Sequence, residues 1–304
     1  MQMVKLQKND INGLLLLNKP KGLTSNQVLG QVKRLFNAKK AGHTGTLDPL
    51  ASGVLPICFG RTTKFAQYLQ NDTKEYLVTC KFGITTDSYD ADGNIVNTIA
   101  GASLGQADLE LAINSFLGEI KQEPPMYSAL KHKGRPLYKY AREGITIERA
   151  LRLVTIYAIE LENYAASSLT ATIRVLCSKG TYIRSLIHDL GQKVKIGAHV
   201  VSLERSMSAG FNLTECHSLE DITHMAANDV TSLNSILLPT VYCVRNLPTL
   251  ELTLAQLTTL RYGQNLYLAD LDLAPGIYAA LCDGTFVGVV QFYINTQLKV
   301  VRLL

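Results

Sequence analysis

Apolar residues recur along this chain with two different periods, and the alternation of those periods limits the fold more than any single motif does. Leu14 to Leu17 is a continuous apolar run ending at Asn18, the pattern of a buried strand. After the basic turn Lys19-Pro20-Lys21-Gly22, residues Val28, Val32, Leu35 and Phe36 fall at helical spacing. Thr24 and Gln27 stand three residues apart ahead of that run, as in a capping box. Val54 to Phe59 is apolar again, Thr63 to Leu69 reads as a short helix, and Lys74 to Phe82 alternates with Tyr76, Val78, Cys80 and Phe82 on one face. Leu109 to Leu117 is a helix candidate ending at Gly118. Ala171 to Cys177 alternates, and Thr181 starts a helix that buries Ile183, Leu186, Ile187 and Leu190. Strands and helices are interspersed, which makes this an α/β chain.

Near Pro239 the texture changes. Pro239 and Pro248 flank a connector, followed by a helix from Thr253 to Arg261 and a hairpin of Ile277–Leu281 with Thr285–Gln291. Asp283-Gly284 joins the hairpin, a pair that type I′ turns prefer, and Leu298 to Leu304 can add an edge strand. The chain has 304 residues, 47% of them hydrophobic, enough for one large domain or two unequal ones. The expected division is 1–246 and a small β-rich unit, 247–304.

Charge points to function. Asp48 is the only carboxylate between Asp10 and Asp72, a stretch that also carries Lys19, Lys21, Lys33, Arg34, Lys39, Lys40, Arg61 and Lys64. A surface that binds phosphates by counterion release gains nothing from an acid in its middle, so Asp48 is the first candidate for catalysis. Its context, Gly42-His43-Thr44-Gly45-Thr46-Leu47-Asp48-Pro49, is irregular backbone: Pro49 fixes its own φ and pushes Asp48 out of the helical region. Asp48 equally suits the cap of a short helix that begins at Pro49, and the two readings are compatible. Tyr76 points where core residues point, so a core aromatic is its plain reading.

Pro124 to Arg142 contains Lys131, Lys133, Arg135, Lys139, Arg142 and His132 with Tyr127, Tyr138 and Tyr140, and no acid. Basic groups meet phosphates and tyrosines stack on unpaired bases, a combination that favours RNA over a small anion. Tyr182 and Arg184 lie in the first turn of the helix after Gly180, where an arginine opposes the helix dipole and calls for an anionic partner. Asp48 is a candidate partner. Asp87, Asp90 and Asp92 mimic a cation loop but miss the calcium pattern, so Gly83 to Gly93 reads as a turn-rich, solvated loop. The six cysteines lie far apart and show no Cys-x-x-Cys, which argues against zinc. Cys58, Cys80 and Cys177 fall in strand-like runs as small core residues. Such cysteine usage gives a reducing, cytoplasmic setting as the expectation; no signal-peptide arrangement is read in the sequence and no apolar run approaches spanning length, so no membrane is expected.

Several ordered blocks together resemble the TruB family of transfer RNA pseudouridine synthases: Asn18-Lys19-Pro20-Lys21-Gly22-Leu23-Thr24-Ser25, the Gly42-to-Gly53 segment, Lys74-Glu75-Tyr76, Pro124-Pro125-Met126-Tyr127-Ser128-Ala129 and Cys177-Ser178-Lys179-Gly180-Thr181-Tyr182-Ile183-Arg184. The resemblance runs over most of the first 210 residues. It implies an α+β catalytic domain with a mixed, largely antiparallel central sheet and flanking helices, then a PUA-like RNA-binding domain. It implies isomerisation of the uridine at position 55 in the T loop, with base flipping and a catalytic aspartate, no cofactor, no metal and no guide RNA, by a monomer. A tRNA-folding chaperone role is compatible with it.

By the same resemblance Asp48 is the catalytic aspartate, Tyr76 packs on the target base and Arg184 is the salt-bridge partner of Asp48. Tyr182 and Leu203 line the pocket, His43 fills space left by extruded bases, Lys19 and Pro20 shape the pocket wall, and Lys64 belongs to the substrate-binding set. The chain departs from the family at Glu204, where the family commonly has an arginine that is expected to make a contact. Three rivals remain: a non-enzymatic RNA chaperone, which has no need of an isolated Asp48; a guide-dependent synthase; and a glycoside hydrolase, which would use two carboxylates where one stands here.

Overall fold

The two periods of the sequence build a sheet covered unevenly on its two faces. The computed structural model describes residues 8–268 and 273–304. In strand β1, Gly13–Lys19, the run Leu14 to Leu17 is buried throughout because both faces are covered. Leu15 and Leu17 point into one apolar core, Leu14 and Leu16 into another. A strand buried on both faces has no reason to alternate with polar residues, hence the unbroken leucines. Helix α1, Ser25–Leu35, starts at the capping box read from sequence, with Gln27 N–H on Thr24 Oγ1 at 3.1 Å and Thr24 N–H on Gln27 Oε1 at 2.8 Å.

Strand β2, Ala51–Phe59, runs antiparallel to β1 from Gly13↔Phe59 to Lys19↔Gly53. Strand β3, Lys74–Phe82, alternates strictly and sends Tyr76, Val78, Cys80 and Phe82 into the larger core, as its period predicts. Then come β4, Gly118–Gln122, β5, Arg152–Ala165, and β6, Thr170–Cys177; helix α2, Ile183–Lys193; and strand β7, Ala198–Ser208. The spatial order is His217–Ser218, β1, β2, β7, β3, β6, β5, β4, with Ala41–His43 paired to β2 and Phe211–Asn212 to β7. The pairing of β7 with β2 is parallel, as is that of β1 with the short strand His217–Ser218. All other pairings in this sheet are antiparallel, giving the mixed, largely antiparallel sheet that the resemblance implies.

Several readings shift. The short helix expected from Thr63 to Leu69 is a 3₁₀ turn, Gly60–Phe65, followed by the helix Ala66–Gln70. The strand expected at an edge from Leu298, Gln297–Leu303, is paired on both sides. Helix α2 begins at Ile183, so Tyr182 is its N-cap in an extended conformation rather than a first-turn residue. The helix expected at Leu109 to Leu117 spans Gln106–Asn114, and Gly118 opens β4. No helix follows Pro49: Ala51 N–H closes a turn on Asp48 O at 3.1 Å and the chain enters β2 directly, so Asp48 caps nothing. A strand partner for Ala51 in β7, at Leu203, outweighs the local preference of Asp-Pro for starting a helix.

The C-terminal part forms a separate five-stranded sheet, ordered Thr249–Glu251, Gly276–Cys282, Thr285–Phe292, Gln297–Leu303, Leu266–Tyr267. Asp283 and Gly284 both have positive φ, 51° and 69°, as a type I′ hairpin requires. This sheet has its own apolar core and also closes the second face of β1 and β2. There Phe286 meets Phe65 edge-on, centroids 5.3 Å apart. Among the described residues no helix is long and apolar enough to cross a membrane.

Candidate active site

The loop that carries Asp48 is pinned from behind. Buried Ser25, at the start of α1, accepts Leu47 N–H at 2.8 Å and donates its hydroxyl to Leu47 O at 3.0 Å. Thr44 N–H reaches Pro56 O at 3.0 Å and Gly22 N–H reaches Pro49 O at 2.7 Å. The loop is thus tied to α1, to β2 and to the turn that holds Gly22, and the Asp48 side chain lines a cavity of about 390 Å³.

Arg184 comes to that cavity from the first turn of α2. Its Nη2 donates to Asp48 Oδ1 at 3.0 Å and its Nε lies 2.9 Å from Asp48 Oδ2, an ion pair at two points. Only the first is aligned as a hydrogen bond. Nη2 also donates to Tyr127 O at 2.8 Å, and Nη1 to Ser88 O at 3.1 Å. Nη1 further pairs with Asp90 Oδ2 at 3.2 Å. The anionic partner expected for an arginine in this position is therefore present twice. Asp90 is 5% exposed and its carboxylate accepts from Ser88 Oγ and Asp92 N–H, which corrects the reading of the Asp87–Asp92 loop as solvated. The local sequence favours that reading because three acids in a turn-rich loop are cheapest in water; the buried guanidinium that changes the balance lies far along the chain, on α2.

Asp48 opens on the cavity with a third of its side chain exposed, while protein surrounds it on its other sides. Burial, the largest influence, pushes its pKa above the ordinary aspartate value; Arg184 opposes by charge and hydrogen bond, Asp90 adds to the rise and Lys19 opposes it. Arg184 thus limits the rise without reversing it. Lys19 is fully buried and spends its amine on Pro20 O and Leu23 O, at 2.7 and 2.6 Å. Burial lowers its pKa to about 8, with Asp48 opposing and Arg205 adding to the fall.

Tyr76, Tyr182 and Leu203 line the cavity beside Asp48 and Arg184. Burial raises the Tyr76 phenol, opposed by the charge and hydrogen bond of Arg205, its neighbour across β3 and β7. Arg205 is 1% exposed and donates from Nε to Val54 O at 2.7 Å and from Nη2 to Gly45 O at 3.3 Å, linking β2 and the Asp48 loop to the strand that carries Leu203. Leu203 and Arg205 line the cavity; Glu204 between them projects to the other face of the sheet, as a period of two demands. The departure at Glu204 therefore leaves the cavity wall unchanged. Lys19, Pro20, His43 and Lys64 are not among the lining residues. His43 is half-buried in the Ala41–His43 strand, its pKa lowered by burial and then by Arg205, and Lys64 donates to Leu303 O at 3.2 Å in the C-terminal sheet.

Ser128 to Leu130, from the basic segment, form the cavity's outer wall. Beyond them Lys131–His132 and Arg135–Pro136 pair as a small ribbon before the helix Leu137–Ala141. The tyrosines here carry arginines on their faces: Arg135 lies 4.5 Å over Tyr140 and Arg142 lies 5.5 Å over Tyr138. Sequence reasoning did not single out Asp90 or Arg205. The signal for Asp90 was the density of acids around it, and Arg205 carried none beyond its place two residues after Leu203.

Comparison with known proteins places the chain in a family. Residues 33–183 match the N-terminal domain of TruB family pseudouridylate synthase, and residues 184–245 match the C-terminal domain of tRNA pseudouridylate synthase B. The tRNA pseudouridine synthase B of Neisseria meningitidis serogroup A is 44% identical over 302 residues, 99% of this chain and 97% of that protein. That of Haemophilus influenzae (strain ATCC 51907 / DSM 11121 / KW20 / Rd) is 44% identical over 295 residues, 95% of this chain and 94% of its own length. In fold the chain is similar to a protein solved in a Cbf5-Nop10-Gar1 complex, with a TM-score of 0.74 at 24% identity, covering 96% of this chain and 84% of that one. With a carboxylate and guanidinium paired in an aromatic-walled cavity, and near-full-length relatives at this identity, the chain belongs to the TruB family of pseudouridylate synthases.

Proposed function

We propose that this protein is a tRNA pseudouridine synthase that isomerises the uridine at position 55 of the T loop, acting alone, as a monomer in the cytoplasm, without cofactor, metal or guide RNA. The observation that carries the reading is the two-point pairing of Arg184 with Asp48 at the wall of the cavity. Isomerisation breaks the bond from the ribose anomeric carbon to ring nitrogen 1 and forms one to carbon 5; the proton on carbon 5 is lost and nitrogen 1 gains one, so no redox partner is needed. Asp48 attacks the anomeric carbon, adds to carbon 6 of the ring or removes a sugar proton, and each route needs the carboxylate ionised and aimed, which is what Arg184 supplies.

The target base must leave its stack to reach Asp48, at a cost of a few kcal/mol. Tyr76 and Leu203 offer it an apolar slot, Tyr182 borders that slot, and the basic segment from Pro124 to Arg142 holds the phosphates outside. Lys19 and Pro20 shape the pocket wall through the turn that holds the Lys19 amine, His43 fills the space left by extruded bases, and Lys64 belongs to the RNA-binding surface. We take 1–246 as the catalytic domain and 247–304 as a PUA-like RNA-binding domain, because the latter has its own sheet and core. The test is to incubate purified protein with an unmodified T-stem-loop RNA in chelator and assay pseudouridine. One uridine should convert; dependence on added metal or guide RNA would reject the reading.

A further inference from the structure

Tyr89 sits between Ser88 and Asp90, the two residues that serve Arg184 Nη1. Its φ is 65°, a left-handed conformation that glycine adopts freely and a bulky side chain rarely does. Such a conformation persists only where the surroundings over-determine it. Here they do so from two sides. Tyr89 O accepts Val200 N–H at 3.0 Å and Ala91 N–H donates to Val200 O at 2.8 Å, fixing the loop to β7 where its register against β3 shifts. The Tyr89 ring lies against His188 with centroids 3.8 Å apart and planes within 15°.

His188 follows Arg184 by four residues on α2, so the two project from the same helical face one turn apart. Three consecutive loop residues therefore meet one helix face at two levels: Ser88 and Asp90 at the guanidinium, Tyr89 at the imidazole. The His188 Nδ1 is buried with no hydrogen-bond partner among the described residues, and burial lowers the ring's pKa. What His188 gives the loop, it gives through its ring face. The left-handed turn at Tyr89 aims Ser88 O and the Asp90 carboxylate at the same nitrogen, 3.1 and 3.2 Å away.

We infer that Tyr89 is a positioning residue for the reaction: stacked on His188, it holds Asp90 against Arg184 and so fixes the direction in which Arg184 meets Asp48. The inference rests on the synthase reading above.

The test compares single-turnover conversion of a T-stem-loop RNA by the full-length wild type, Tyr89→Phe, Tyr89→Gly, His188→Ala and the double variant that combines the last two, with Kd for the same RNA and the unfolding midpoint read alongside. Phenylalanine keeps the stack and should react within about twofold of wild type, whereas loss of aim should slow Tyr89→Gly and His188→Ala each by about tenfold or more at unchanged Kd. The double variant should be no slower than the slower single one, because both remove the same contact. Glycine is at ease at this φ, so Tyr89→Gly should stay folded. A wild-type rate in either single variant, or losses that multiply in the pair, overturns the inference while leaving the proposed function standing. No conversion by the wild type would instead overturn that function.

Discussion

Arg184 and Asp90 pair at 3.2 Å through Nη1, the guanidinium nitrogen that Asp48 does not touch. One buried cation thus holds two carboxylates from two separate segments, and the second acid does for Arg184 what Arg184 does for Asp48. Since a buried cation facing a single carboxylate has some freedom to tilt, the second anchor matters for direction as well as charge.

Replacing Asp90 with asparagine keeps the shape and removes the charge, leaving Arg184 with Asp48 as its one carboxylate. Conversion should slow by about tenfold or more, because a buried ion pair loses its charge on one side, with RNA affinity unchanged. Single-turnover rates and Kd on the same preparation check this. A wild-type rate would place Asp90 in a purely structural role.

Asp48→Asn separates catalysis from binding. Turnover should vanish while the T-stem-loop binds as tightly as before or slightly more so, because phosphate contacts and stacking supply the affinity. Turnover near the wild-type rate would sink the proposed mechanism.

The pH dependence has a definite sign. Asp48 acts ionised, and its pKa lies above the ordinary aspartate value, so activity should fall on the acid side at a pH higher than a solvated aspartate would give. Removing the opposing pull of Arg184 by substitution with glutamine should move that limb to higher pH still. Arg184→Lys keeps the charge but loses the planar contact, and should cost about a hundredfold in rate with little change in unfolding midpoint. Rate profiles of the three proteins against pH decide the matter; an unmoved limb in Arg184→Gln would show that Asp48 does not set it.

Neutralising Lys131, Lys133 and Lys139 together should weaken RNA binding and flatten its salt dependence by up to about 0.7 log unit per lost phosphate contact. Kd measured across a salt series tests it. An unchanged slope would mean that this segment faces solvent rather than RNA.

Phe286→Ala removes the ring that meets Phe65 between the two sheets. It should destabilise the protein by about 3 kcal/mol, the usual cost of deleting a buried phenylalanine. Urea unfolding would show the midpoint fall, and a negligible change would mean that the C-terminal sheet adds little to the stability of β1 and β2.

Much was legible from the chain alone. The leucine run, the Thr24–Gln27 capping box, the alternation of β3 and the Asp283-Gly284 turn are local signals, and each became the element it announced. The isolation of Asp48 among lysines and the dipole conflict at Arg184 were also readable, since each is a property of neighbours in sequence. Which charges meet was legible only in part: Asp48 stood as the candidate partner of Arg184, whereas nothing pointed from Asp90 to Arg184. Asp48 and Arg184 stand 136 residues apart, and Asp90 looked like one solvated acid among several. Whether Pro49 starts a helix or a strand depended on β7 lying alongside at Leu203. Local propensities amount to fractions of a kcal/mol, whereas a buried guanidinium left without carboxylates costs several. Sheet order brought Arg184, Asp48 and Asp90 together, and that packing, absent from any single segment, decided the site.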